Sequence, residues 1–149
     1  MKQNTIIEAI CFLLILLFVY AAVSKLFDYS SFKYQVHLSP FLSFFSNVAW
    51  IIPVTELATV VMLAFTARRL IGFYASFILM LAFTVYIILM LVFAKHLPCS
   101  CGGVLKQLSW KQHLLFNIFF LTLSATGIIL TRKHIDKNIV VQQFERDAS

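Results

Sequence analysis

Charge is scarce in this chain. Only 12 Lys or Arg and 6 Asp or Glu occur among 149 residues, so 12% of the sequence is charged while 61% is hydrophobic. Soluble domains carry about a quarter charged residues and about half apolar ones, and the mean hydropathy here is +0.91. That balance excludes a soluble domain. Four apolar stretches, Thr5–Ser24, Val48–Ala67, Leu70–Phe93 and Gln112–Thr131, occupy more than half the chain. Each is long enough for the roughly 20 helical residues that cross a hydrocarbon core. A secretory leader is also hard to find. Lys2 precedes the first apolar run, but the run outlasts a typical signal core and Ala22-Val23-Ser24 is a poor cleavage site. The first stretch is therefore predicted to be a structural helix.

The net charge of +6 is not a nucleic-acid footprint, and no nucleic-acid partner is expected. The basic residues fall in short connections and the tail, as membrane topology requires. Four spans put both termini on one side, with Lys2, Arg68, Arg69, Arg132, Lys133, Lys137 and Arg146; Lys25, Lys33, Lys95, Lys106 and Lys111 fall on the other. Arg68-Arg69 fills a tight connection, whereas Lys25 and Lys95 sit at helix ends where their stems can snorkel. The expected fold is all-α: an integral membrane four-helix bundle over residues 1–131, with N- and C-termini on the same, cytoplasmic side. Residues 132–149 form a polar cytoplasmic tail, where Ile135, Ile139, Val140 and Phe144 allow a short surface helix or a frayed end.

The first outer segment, Lys25–Asn47, is rich in aromatic residues. Phe32, Tyr34, Phe41, Phe44 and Phe45 mix with Lys33 and His37, as in an interfacial anchor belt or a lid. Ser39-Pro40 has the form of a helix N-cap followed by proline at the first helical position. The second span is accordingly expected to start in the interface at Pro40 and enter the bilayer near Val48.

Pro98-Cys99-Ser100-Cys101-Gly102-Gly103, between the third and fourth spans, carries the clearest chemistry. On the outer side, disulfide chemistry is sustainable. The reactive species is the thiolate, which nearby Lys95, His96 and Lys106 would favour. A disulfide between Cys99 and Cys101 closes a very small ring and needs a turn, which Pro98 and Gly102-Gly103 make accessible. A strained disulfide of that kind is easily reduced and therefore oxidising. Three readings stand side by side: redox exchange, soft-metal binding, and an inert staple or two unrelated thiols. Cys11 lies about 20 Å along its helix from the outer end and is read as packing.

Glu56 is the second signal, since a charge inside a span is costly and usually functional or paired. Pro53, one turn earlier, is expected to kink the helix beside it. Tyr20, Lys25, Tyr86 and Asn117 fall at similar depth, so every span contributes a polar group to the half-membrane bordering the Cys segment. Glu56 is either a packing element paired with Lys25 or a group that relays protons or orients a cofactor. His96 and His113 flank the Cys segment as interfacial polar residues or as ligands or bases, and His37 and His134 are read as surface residues.

Lys25-Leu26-Phe27-Asp28 with Phe32, Pro53-x-x-Glu56, Cys99-x-Cys101-x-Gly103 and Asn117 together resemble the MauE family of DoxX-like four-helix membrane proteins. The resemblance covers about residues 5–131, and the family often has a larger residue where Gly102 stands here. It implies a redox-associated protein of the bacterial inner membrane. In methylamine utilisation such proteins serve maturation of the disulfide-rich small subunit of a periplasmic dehydrogenase. The helix arrangement also resembles vitamin K epoxide reductase and the quinone-linked disulfide oxidases, which implies a quinone as candidate cofactor, although those proteins use Cys-x-x-Cys.

The function expected is thiol–disulfide oxidoreductase chemistry at the outer face. Cys99, Cys101 and Glu56 are the candidate catalytic residues, and Lys25, Tyr86 and Asn117 the candidate cofactor-binding residues, with no metal. The partners expected are membrane lipid and a periplasmic thioredoxin-like or disulfide-containing client. Two rivals remain. Cys99 and Cys101 with His96 or His113 form a soft-metal set suited to Cu(I), although no Met-rich path lines the spans. A non-catalytic scaffold for an electron-transfer partner is the other.

Overall fold

The computed structural model describes residues 2–38, 43–93 and 110–147. Among them all regular structure is helical: α1 (Lys2–Phe27), α2 (Tyr29–Leu38), a 3₁₀ helix (Ser43–Val48), α3 (Ile51–Ala64), a 3₁₀ turn (Thr66–Arg68), α4 (Arg69–Phe93) and α5 (Trp110–Asp147). Three stretches are long and apolar enough to cross a membrane: Asn4–Phe27, Thr66–Phe93 and Lys111–Gln143. Their outward faces are as apolar as their inward ones, with Phe12, Ile78, Val92 and Leu115 each more than 60% exposed. A helix without a polar face suits lipid, where it satisfies its own backbone hydrogen bonds.

The fourth apolar element, α3, is shorter than the expected span. Its 14 residues reach about 21 Å at 1.5 Å per residue. Val48 closes the preceding 3₁₀ helix, and Phe65 ends α3 in extended backbone at φ −86°, ψ 117°. Pro53, expected to kink the helix beside Glu56, falls near the start of α3 rather than in its middle. It occupies the first turn of α3, where the amide it lacks is unpaired in any helix. Ile52 N–H bonds to Ala49 C=O and Val54 N–H to Trp50 C=O around it, and α3 runs unbroken from Ile51 to Ala64. The proposed Ser39-Pro40 cap lies outside the described residues.

Part of the aromatic outer segment is helix. The Asp28 carboxylate accepts from Ser31 N–H at 3.3 Å and so caps the start of α2. Phe32 and Val36, one turn apart, bury one face of α2 against Ala49, with Tyr29 and Ile52 beside them. Lys33, Tyr34 and His37 stay on the exposed face. Thus α2 docks at the entry to α3.

α1 packs on α3 and α5, and α4 packs on the same two helices. Their common core contains Leu14, Phe18, Leu63, Phe73, Met80 and Phe120. In lipid the hydrophobic effect does not drive helices together, so close contact at small residues matters more. Gly127 of α5 is such a contact: a Cβ there would lie 2.5 Å from the fully buried Phe73 ring. Gly127→Ala is therefore expected to destabilise the fold by about 1–3 kcal/mol. Thermal unfolding in detergent would show it, with Ala125→Gly as a control for helix propensity.

α5 continues in helix to Asp147, past the expected end of the span at Thr131. Its buried stripe of Asn117, Phe120, Ser124, Gly127 and Thr131 stops there. Beyond it Ile135, Ile139 and Val140 are exposed. The polar tail is thus a continuation of α5, with helical structure sustained after packing ends.

Candidate functional site

Lys25 and Glu56 form the centre of the site. On α1, Leu14, Phe18 and Ala22 make an inward stripe at four-residue spacing, and Lys25 extends it by three residues. On α3, Pro53, Glu56, Thr59 and Leu63 make the matching buried stripe. Where the stripes meet, Lys25 Nζ donates to Glu56 Oε1 at 2.6 Å. The Glu56 side chain is fully buried and that of Lys25 is 10% exposed. The expectation that Lys25 snorkels is corrected: its stem turns inward, because a buried carboxylate offers more than the interface does.

The ammonium is held on two further sides. It donates to Ala21 C=O at 3.4 Å and lies 5.5 Å from the centroid of the Phe83 ring on α4, a cation–π distance. Glu56 is less completely satisfied. Its second oxygen, Oε2, is buried without a hydrogen-bond partner among the described residues. On α5, His113 Nδ1 is buried and unpartnered in the same way, and the Lys25 charge acts on that imidazole. Asn117, one turn along α5 on the same face, directs Nδ2 to Thr84 Oγ1 at 3.5 Å. Thr84 Oγ1 itself donates to Met80 C=O at 2.7 Å.

The structure therefore brings Lys25 and Glu56 into direct contact and sets Asn117 against Thr84. Tyr86 is half-buried on α4, one turn beyond Phe83, and Tyr20 is partly exposed on α1. Cys99 and Cys101, with Lys95, His96 and Lys106, lie outside the described residues. Nothing in the sequence singles out Phe83 or Thr84, and His113 reads there as an interfacial residue or as a ligand or base beside the Cys segment. The four-residue spacing from His113 to Asn117 was the available signal, since it puts both on one helix face.

A second polar group lies at the opposite end of these helices. Cys11 is buried in the core with Sγ 3.2 Å from Leu63 C=O, one of the last carbonyls of α3, in agreement with a packing role. Arg69, at the start of α4, reaches Glu8 of α1 at 4.0 Å. Arg132 stacks over Tyr74 at 5.7 Å. These contacts tie helix ends together.

Long apolar helices enclosing a buried lysine–glutamate pair define a helical membrane protein with a polar centre between its helices. The chain belongs to the MauE family: the model described as "Methylamine utilisation protein MauE" matches residues 3–130. No match was found among curated proteins or among solved structures.

Proposed function

We propose that this protein is an integral inner-membrane thiol–disulfide redox protein. Its segment 94–109 joins α4 to α5 on the periplasmic side, and Cys99 and Cys101 cycle there between dithiol and disulfide. α1, α3, α4 and α5 each cross the bilayer, with both termini cytoplasmic. The partner is a periplasmic thioredoxin-like or disulfide-containing client, and the family description favours one serving methylamine utilisation. The observation that carries this proposal is the buried Lys25–Glu56 pair at 2.6 Å. A charge pair inside an apolar bundle can often be replaced by apolar side chains at no loss of stability, so its presence points to chemistry.

In this scheme Glu56 holds and releases a proton under the thiols, while Lys25 orients the carboxylate and supplies positive charge. A quinone's oxygens only accept, and the Lys25 ammonium, 5.5 Å from the Phe83 ring centroid, is a donor suited to them. Lys25, Tyr86 and Asn117 would hold it, and when bound it would supply a lipid-soluble two-electron acceptor. The test is a thiol-specific mass tag applied to native membranes. Oxidant should protect two thiols from the tag in the wild type, and Cys99→Ser should abolish both that protection and client maturation. Thiols that stay tagged under oxidant, together with normal maturation in Cys99→Ser, would overturn the proposal.

A further inference from the structure

We infer that the outward face of α3 binds one anionic glycerophospholipid, with an acyl chain along the helix and the phosphate on Arg68. The site needs only a membrane-embedded helix and is independent of the thiol chemistry.

α3 presents two faces. Pro53, Glu56, Thr59 and Leu63 are buried in the bundle. Ala58, Val61, Met62 and Phe65 recur at intervals of three and four residues, so they share a different side. With Arg68 they line a cleft of about 560 Å³, within the range of about 300–1,000 Å³ found for small-molecule sites. Val61 and Phe65 are each more than half exposed. The helix stops at this cleft. Phe65 leaves α3 in extended backbone, and the 3₁₀ turn Thr66–Arg68 leads on to α4. Arg68 N–H bonds to Phe65 C=O at 2.9 Å, which fixes the arginine beside the last apolar residue of the stripe.

The length of α3 and its charge specify the occupant. The 14 residues of α3 reach about 21 Å, against a hydrocarbon core of about 30 Å. A short helix is accommodated by bilayer thinning and by snorkelling of flanking residues, and both bring a lipid phosphate and Arg68 together. Two other arginines near this end of the helices are engaged, Arg69 with Glu8 at 4.0 Å and Arg132 over the Tyr74 ring at 5.7 Å. Arg68 is exposed, and its guanidinium has no ion pair among the described residues. The apolar stripe faces hydrocarbon, so an acyl chain fills it rather than a water-soluble solute. The guanidinium fork matches a phosphate with two parallel hydrogen bonds. A zwitterionic lipid carries its own cation beside the phosphate and gains less from Arg68. An anionic headgroup is the better match.

Lipid binding provides the test. Purified full-length protein in detergent is titrated with dioleoyl phosphatidylglycerol or dioleoyl phosphatidylcholine, and native mass spectrometry counts bound lipid. The acyl chains are identical, so the difference reads the headgroup. Phosphatidylglycerol should bind at least about fivefold tighter, the effect of one basic residue at a lipid surface. Arg68→Gln should remove that preference, while Arg132→Gln keeps it. Ala58→Phe, at an exposed position of α3, fills the cleft and should weaken both lipids. Thermal unfolding checks that each variant is folded. Arg68→Gln removes no side-chain ion pair among the described residues and should unfold as the wild type does. Equal affinity for the two lipids, or an unchanged preference in Arg68→Gln, overturns the inference. So does an equal loss in Arg68→Gln and Arg132→Gln, which would show general attraction of anionic lipid to the basic end. Undiminished binding of both lipids by folded Ala58→Phe overturns the acyl-chain site.

Discussion

Glu56→Ala is expected to destabilise the folded protein by about 3–5 kcal/mol, because it strands the Lys25 ammonium in an apolar interior. The carboxylate is fully buried, the ammonium nearly so, and the ion pair is the principal compensation for both. Ala21 C=O at 3.4 Å and the Phe83 ring at 5.5 Å are weaker replacements. Lys25→Ala should cost a similar amount by stranding the carboxylate. Removing both charges together gives a different result. Lys25→Met with Glu56→Leu fills the same space with apolar side chains, and a buried pair replaced in that way is often neutral or stabilising. The double variant should therefore unfold within about 1 kcal/mol of the wild type, despite two severe single changes. Thermal or denaturant unfolding in one detergent checks all four proteins. If the double variant matches wild type in stability and still matures the client, the pair is structural and its proposed proton role falls. Restored stability without client maturation places Lys25 and Glu56 in the chemistry.

The same pair marks how far the sequence could be read. Long apolar runs announced α1, α4 and α5, because lipid-exposed helices are apolar all round and need no subtle periodicity. The limits of α3 were less legible. Apolar residues continue through Val48, Ala49 and Trp50, and hydropathy cannot distinguish a 3₁₀ entry from an α-helical turn. Pro53 misled for a related reason, since proline signals a kink in mid-helix and a fitting start in the first turn. Glu56 stood out because charge inside a span is rare. Lys25 is visible too, and pairing with Glu56 is one reading of it, while its position near a helix end equally allows the interface. The stripe Leu14–Phe18–Ala22–Lys25 decides for the pair. His113 was harder, because unpartnered atoms are a property of packing between helices. No local pattern records them.

Cys101→Ser and Cys99→Ser are each expected to abolish disulfide exchange with a periplasmic partner, since each removes one of the two sulfurs that exchange needs, and one of them should trap the partner covalently. The argument follows from how exchange proceeds. A thiolate attacks a disulfide sulfur, a mixed disulfide forms, and the departing sulfur leaves as a thiolate. In the forward direction a partner thiolate opens the Cys99–Cys101 disulfide and the partner leaves oxidised, with the pair as a dithiol. In reverse, one cysteine attacks the partner's disulfide and the second then resolves the mixed disulfide. Without that second thiol the mixed disulfide persists. Cys11 is no ready substitute for it, being buried about 24 Å along α1 from the Phe27 end with its sulfur against Leu63 C=O. Non-reducing electrophoresis of membranes should show a higher-mass species in whichever variant keeps the attacking cysteine, and dithiothreitol should dissolve it. The double variant Cys99→Ser/Cys101→Ser should show none. If neither single variant traps a partner and the double variant still supports maturation, the thiols are not exchanging and a scaffold role takes their place. Trapping in Cys101→Ser alone would identify Cys99 as the attacking sulfur, and trapping in Cys99→Ser alone would reverse the order.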